Sequence, residues 1–145
     1  MKKLKIAVGS DHGGFKLKQK IIEYLRNKNI DFKDFGTFDE ESCDYPDYAK
    51  KVASEVAIGN FEKGILICGT GIGVSIAANK VKGIRAALCS DTFSAKMTRA
   101  HNDSNILCLG QRVTGEGLAL EILDAWLNTE FEGGRHKQRV SKIED

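Results

Sequence analysis

Short runs of apolar, β-branched residues alternate with stretches whose apolar positions recur every three or four residues, and this alternation continues along the whole chain. Leu4–Val8 reads as a first strand, and Leu17, Ile21, Ile22 and Leu25 then mark one face of a helix within 15–28. Residues 30–35 form a shorter, more polar second strand. Pro46 suits the first turn of the next helix, whose buried face carries Val52 and Val56 beside Ala49, Ala53 and Ala57. Residues 64–68 (GILIC) are continuously apolar, as a strand covered on both faces requires. A helix follows through Asn79, then strands at 84–89 and 105–109 flank a helix around 93–100. A last amphipathic helix over 116–128 carries Leu118, Ile122, Leu123 and Trp126. Five strands alternating with helices predict one parallel sheet between two helical layers, an α/β/α sandwich. Residues 130–145 fall outside that pattern and read as a C-terminal arm, of the kind that docks on a second subunit.

The 145 residues suit one domain spanning 1–145, large enough to bury roughly 70% of its unfolded surface. With 41% hydrophobic and 29% charged residues and a net charge of +2, disorder is excluded, and no basic stripe suggests a nucleic-acid partner. No apolar run reaches the roughly 20 residues that span a membrane. The first nine residues are too short in apolar content for a signal peptide and read as a strand, which predicts a cytoplasmic protein. Cys43, Cys68, Cys89 and Cys108 show no C-x-x-C pair and no zinc spacing, which predicts reduced thiols.

Ligands of open α/β sheets bind beyond the carboxyl ends of the strands, where the strand order reverses. Two loops follow strands there: 10–14 (SDHGG) and 68–73 (CGTGIG). In a strand order 2-1-3-4-5 they adjoin. Gly69, Gly71 and Gly73 either free backbone N–H groups to face an anion at a helix N-terminus or simply make a tight turn. They match neither the dinucleotide fingerprint nor a P-loop, so a nicotinamide cofactor is disfavoured. Cys68 closes a strand against a helix N-terminus, a setting that favours a thiolate, and Thr70 stands close enough to bond the sulfur or a substrate. Cys89 and Cys108 read as inert strand thiols.

His12, His101 and His136 all lie in polar loops. A metal held by Asp11, His12 and His101 is disfavoured by their spacing, so no metal is expected. Arg135 and Arg139 would share a helix face and could clamp a phosphate, or form a solvated basic tail. The acidic loop of Asp39, Glu40, Glu41 and Asp44 reads as solvated. His101 follows a helix rather than a strand, so it belongs on the rim opposite Cys68 and would reach such a site only from a second chain.

Five segments together resemble one family: Gly9–Gly14, 44–48 (DYPDY), 67–73 with 75–80 (SIAANK), 101–103 (HND) and 132–136 (EGGRH). They are similar to the sugar-phosphate isomerases that include ribose-5-phosphate isomerase B, galactose-6-phosphate isomerase subunits and allose-6-phosphate isomerases. The resemblance spans nearly the whole chain. It implies a Rossmann-like five-stranded sheet, no cofactor and no metal, and a homodimer or dimer of dimers with shared active sites.

Residue by residue, the resemblance implies that Cys68 moves a proton between C1 and C2, where other members use a glutamate that Val74 and Ser75 replace here. It makes His101 the group that opens the sugar ring. Asp11, Tyr45, Thr70 and Asn102 would hold the sugar, and the backbone of Gly69, Gly71, Ile72 and Gly73 the enediolate oxygen. His12, Arg112, Arg135 and Arg139 would bind the phosphate. The implied reaction is exchange between ribose 5-phosphate and ribulose 5-phosphate. An isomerase of allose or galactose 6-phosphate, or a non-catalytic phosphosugar-binding module, are the alternatives.

Overall fold

The computed structural model describes residues 4–145, so the Met1–Lys3 part of the N-terminal reading lies outside the described residues. Strands β1 (Lys5–Ser10), β2 (Asp31–Asp34), β3 (Lys63–Cys68), β4 (Ala86–Leu88) and β5 (Ile106–Gly110) alternate with helices α1 (Phe15–Asn27), α2 (Tyr45–Ala57), α3 (Ile72–Asn79), α4 (Thr92–Asn102) and α5 (Glu116–Leu127). A sixth helix, α6 (Arg135–Glu144), lies in the segment the sequence left as an arm. The five strands are parallel throughout.

Side chains alternate across each strand, and that alternation divides the core in two. Ile6, Val8, Ile65, Ile67, Leu107 and Leu109 face the layer of α1, α4 and α5. Ala7, Leu66, Cys68, Ile106 and Cys108 face α2 and α3. Each fully buried Ile or Leu contributes about 1.5–3 kcal/mol over an exposed one. The stripe of α5 is Ala119, Ile122, Leu123 and Trp126, at i, i+3, i+4 and i+7. Leu118, expected in that stripe, is instead 42% exposed, because 100° per residue turns it off the face that Ala119 occupies. Ala57 is likewise exposed, one step beyond the buried face of α2.

The strand order is β2-β1-β3-β5-β4, not 2-1-3-4-5. All five residues of β5 are buried and suit the sheet's interior, whereas β4 has three residues, none buried, and suits its edge. Asn79 covers that edge: its side-chain carbonyl accepts from Ala86 N–H at 2.8 Å and its amide donates to Ala86 O at 2.9 Å. The exchange leaves β1 and β3 adjacent, so the reversal still falls between their carboxyl ends.

Candidate active site

The two expected loops meet at that reversal. Asp11 N–H donates to Ile67 O at 3.3 Å, and a Cβ at Gly14 would fall 2.5 Å from Ile67 O. Only glycine lets the first loop lie this close to β3. Asp11 is buried and caps the short 3-10 turn, its Oδ1 accepting from Gly14 N–H at 3.1 Å. His12 is half-buried, and its Nδ1 accepts from Cys43 N–H at 3.1 Å. That bond leaves Nε2 to carry the ring hydrogen in the neutral form.

Cys68 is 5% exposed at the end of β3, and Gly71 N–H donates to its Sγ at 3.1 Å. Gly71 has φ +80, and a Cβ there would meet Leu88 Cδ1 at 2.5 Å and Leu109 C at 2.8 Å. Thr70 does not bond the sulfur: its Oγ1 accepts from Ile72 N–H at 3.2 Å, at the start of α3. Gly73 also lies in the first turn of α3, where N–H groups lack intrahelical acceptors. The Tyr45 ring covers it so closely that a Cβ at Gly73 would lie 2.7 Å from Cε1. On the other flank, Arg112 N–H donates to Gly69 O at 2.9 Å, and its side chain runs across Gly69. Among the described residues no carboxylate pairs with that guanidinium. Gln111, which sequence reasoning missed, ties this corner to α1 by accepting from Leu17 N–H at 2.9 Å. No local sequence pattern marks that contact across 94 residues.

Burial raises the thiols of Cys89, to about 11, and Cys108 further. Cys108 lies within β5 and Cys89 just past the end of β4, both buried, while Cys68 alone of the three meets a backbone donor at a loop.

The carboxyl ends of β1 and β3 therefore bring together the loops that carry Asp11, His12, Cys68, Gly69, Thr70, Gly71, Ile72 and Gly73, with Tyr45 over Gly73 and Arg112 over Gly69. His101, Asn102, Arg135 and Arg139 are elsewhere. Asn102 ends α4, and Arg85, just before β4, donates to its carbonyl at 3.0 Å. That is the amino-end rim of the sheet, about 15 Å from Cys68 along a strand. The arm packs there too: Glu132 N–H donates to Ala100 O at 3.0 Å, and Arg85 pairs with Glu144 at 2.7 Å. A concavity of about 710 Å³ opens on this rim and includes Asn79, Arg85 and Asn102 but not Cys68.

His136 is the residue sequence reasoning undervalued. Its ring stacks on His101 with centroids 4.1 Å apart, and Glu132 lies 3.4 Å from its Nε2. Burial, with His101 and Arg135 nearby, pushes its pKa below the ordinary range for histidine. The Glu132–His136 spacing of four was the available signal.

A family model described as Ribose/Galactose Isomerase matches residues 6–143. The chain belongs to the ribose/galactose isomerase family. Within the family, ribose-5-phosphate isomerase B of Escherichia coli is 54% identical over 139 residues, covering 96% of this chain and 93% of that protein. The solved ribose-5-phosphate isomerase B of Clostridium thermocellum superposes with a TM-score of 0.96 at 56% identity, covering 97% of this chain and 95% of that one. A D-erythrulose-4-phosphate isomerase of Pectobacterium atrosepticum is 46% identical, covering 97% and 93%. The family read from the five sequence segments is the one matched, and the sandwich fold expected is the one observed.

Proposed function

We propose that this protein interconverts ribose 5-phosphate and ribulose 5-phosphate by proton transfer through an enediolate, with Cys68 as the base. The observation that carries this reading is Cys68 Sγ at the sheet reversal, held by Gly71 N–H at 3.1 Å next to Gly69, over which the Arg112 side chain runs and against which the 10–14 loop closes. Aldose–ketose exchange needs a base, donors for the developing oxyanion and an anchor for the phosphate. The thiolate of Cys68 takes the C2 proton of the open-chain aldose, and the pair of electrons left behind forms the C1–C2 double bond of the enediolate. As that double bond forms, the C1 carbonyl pair moves to O1. The thiol, whose proton exchanges with solvent, then protonates C1 while the 2-hydroxyl hydrogen passes to O1, leaving a ketone at C2 and a hydroxyl at C1. N–H groups of the loop at 69–73 face the charge that builds on oxygen. His12 and Arg112 hold the phosphate, which supplies positioning energy away from the reacting carbons.

Ring opening is assigned to His101, moving a proton to the ring oxygen, with Asp11 and Asn102 holding hydroxyls. Because His101, Arg135 and Arg139 lie on the opposite rim, they serve the Cys68 of a second subunit, with the arm reaching across. Exposed Ile72, Ile76, Leu88 and Phe93 around α3 and the neighbouring edge of the sheet support such an interface. In this reading the enzyme is a cytoplasmic homodimer, alone or paired into a dimer of dimers. Among the described residues no helix is long and apolar enough to cross a membrane.

Proton NMR with ribose 5-phosphate in D2O tests the reading. Formation of ribulose 5-phosphate with deuterium entering beside the carbonyl is the expected result. The same exchange with allose 6-phosphate alone would reassign the substrate to a hexose. Saturable binding with no exchange on either sugar would leave a binding module.

A further inference from the structure

His101, Glu132 and His136 bring one potential ligand atom each to within 4.8 Å of one another. His101 stands in the last turn of α4, and the other two belong to the arm. The backbone holds them there. Glu132 N–H donates to Ala100 O at 3.0 Å, which pins the arm one residue from His101. Gly133 and Gly134 follow with φ +71 and +56, a reversal that side chains resist. It turns α6 back, so that Glu132 Oε1 lies 3.4 Å from His136 Nε2 and 3.9 Å from His101 Nε2. Both Nε2 atoms thus present to the same oxygen, and His136 is 7% exposed.

We propose that this cluster is a binding site for a borderline divalent cation, Zn²⁺ above all, and that filling it shuts the enzyme off. Two imidazoles and one carboxylate, with a fourth position open to water, form a donor set that suits Zn²⁺ and its neighbours but not Mg²⁺, which demands oxygen ligands. Ligand distances of about 2.0–2.2 Å require the three atoms to draw closer and the His101 ring to swing out of its parallel stack on His136, so that both Nε2 lone pairs converge on the ion. The side chains of His101 and Glu132, 39% and 56% exposed, are free to rotate by that amount. Arg135 and Arg139, on the same helix as His136, oppose a dication, which makes this a reversible regulatory site rather than a structural one.

A bound ion ties up the nitrogen His101 would use on the sugar ring. The shut-off therefore rests on the role proposed for His101 above, whereas the binding does not.

Titration of the metal-free protein with Co²⁺, followed by visible absorption, reads the binding directly, and Zn²⁺ calorimetry reads the stoichiometry. The expected result is one ion per chain, visible bands without the near-ultraviolet charge transfer of a thiolate ligand, and no response to Mg²⁺. Glu132→Gln, an isosteric change at an exposed side chain, removes one ligand and weakens binding at least on the order of tenfold. Zn²⁺ abolishes turnover at the same concentrations that fill the site, and EDTA restores it.

Absence of binding overturns the site. So does a thiolate band that survives Glu132→Gln, which would place the ion on Cys68 or on Cys43 beside His12. Binding without inhibition overturns the shut-off. Binding by a protein that turns over no sugar even when metal-free would overturn the isomerase reading and leave the site standing.

Discussion

The N–H of Gly71 points at Cys68 Sγ from 3.1 Å, and the two residues meet only because the backbone at Gly71 is left-handed. The bond supplies a backbone donor to the sulfur, the kind of contact that strengthens when its acceptor carries charge. In the proposed reaction Cys68→Ala removes the proton carrier and keeps the rest of the loop. Its kcat is expected to fall by about 10²–10⁴, the range for losing a general base, with KM changed little. Steady-state kinetics at matched protein concentration check this, and near-normal kcat would mean another base.

Gly71→Ala separates the donor from the thiol. A Cβ at this position meets the Leu109 backbone at 2.8 Å, so the loop must shift and carry the N–H off the sulfur. The left-handed conformation alone costs an alanine about 1–2 kcal/mol. The expected variant melts lower and loses kcat with its Cys68 intact. Slower alkylation of Cys68 by iodoacetamide than in the unsubstituted protein would show that the donor had gone.

Lys18 is fully buried on α1, and its Nζ lies 2.6 Å from Asp34 Oδ2 at the end of β2. Asp34 Oδ1 also accepts from Gly36 N–H, so the pair anchors the loop that supplies the Cys43 N–H to His12. Lys18→Met strands a carboxylate whose side chain is only 22% exposed, at an expected cost of about 3 kcal/mol, the low end for a broken buried pair. Adding Asp34→Leu is expected to recover part of that loss, because the uncompensated charge goes with it. Urea unfolding at one fixed protein concentration measures both.

Periodicity exposed the parts of the fold whose burial is two-sided. The runs at 64–68 and 106–109 are unbroken because helices cover both faces of β3 and β5. The order of β4 and β5 was not legible, since both are short and apolar and only burial separates an edge from a centre. Lys18 escaped for a related reason: an ammonium at a buried helix position reads as exposed until its partner, 16 residues away on a strand, is known. The arm hid its helix behind Gly133 and Gly134, whose turn joins it to α4. The meeting of the loops at 10–14 and 68–73 was legible because both follow strands at the sheet's reversal, whereas Arg112 came only through the family resemblance.

Arg135 and Arg139 lie four apart on α6, exposed and on the rim away from Cys68. If they grip the phosphate in a neighbouring crevice, Arg135→Ala raises KM by roughly one to two orders of magnitude, the loss of about 1.5–3 kcal/mol from a charged hydrogen bond. The thiol stays in place, so kcat changes far less. An unchanged KM would return the pair to a solvated tail.

The separation of Cys68 from His101 gives the last test. About 15 Å of strand lies between the two rims, so no rotamer change brings this imidazole to this thiol. A site that needs both must take one from each of two chains. Cys68→Ala and His101→Ala homodimers each then carry two broken sites. A heterodimer of the two carries one site with both defects and one with neither. Random exchange makes half of the dimers hetero, each with one intact site of two, so the mixture is expected to recover about one quarter of the unsubstituted activity. Differently tagged subunits, recovered together, establish that exchange took place. Activity that stays at the level of the parents despite complete exchange would place the whole reaction within one chain, without His101.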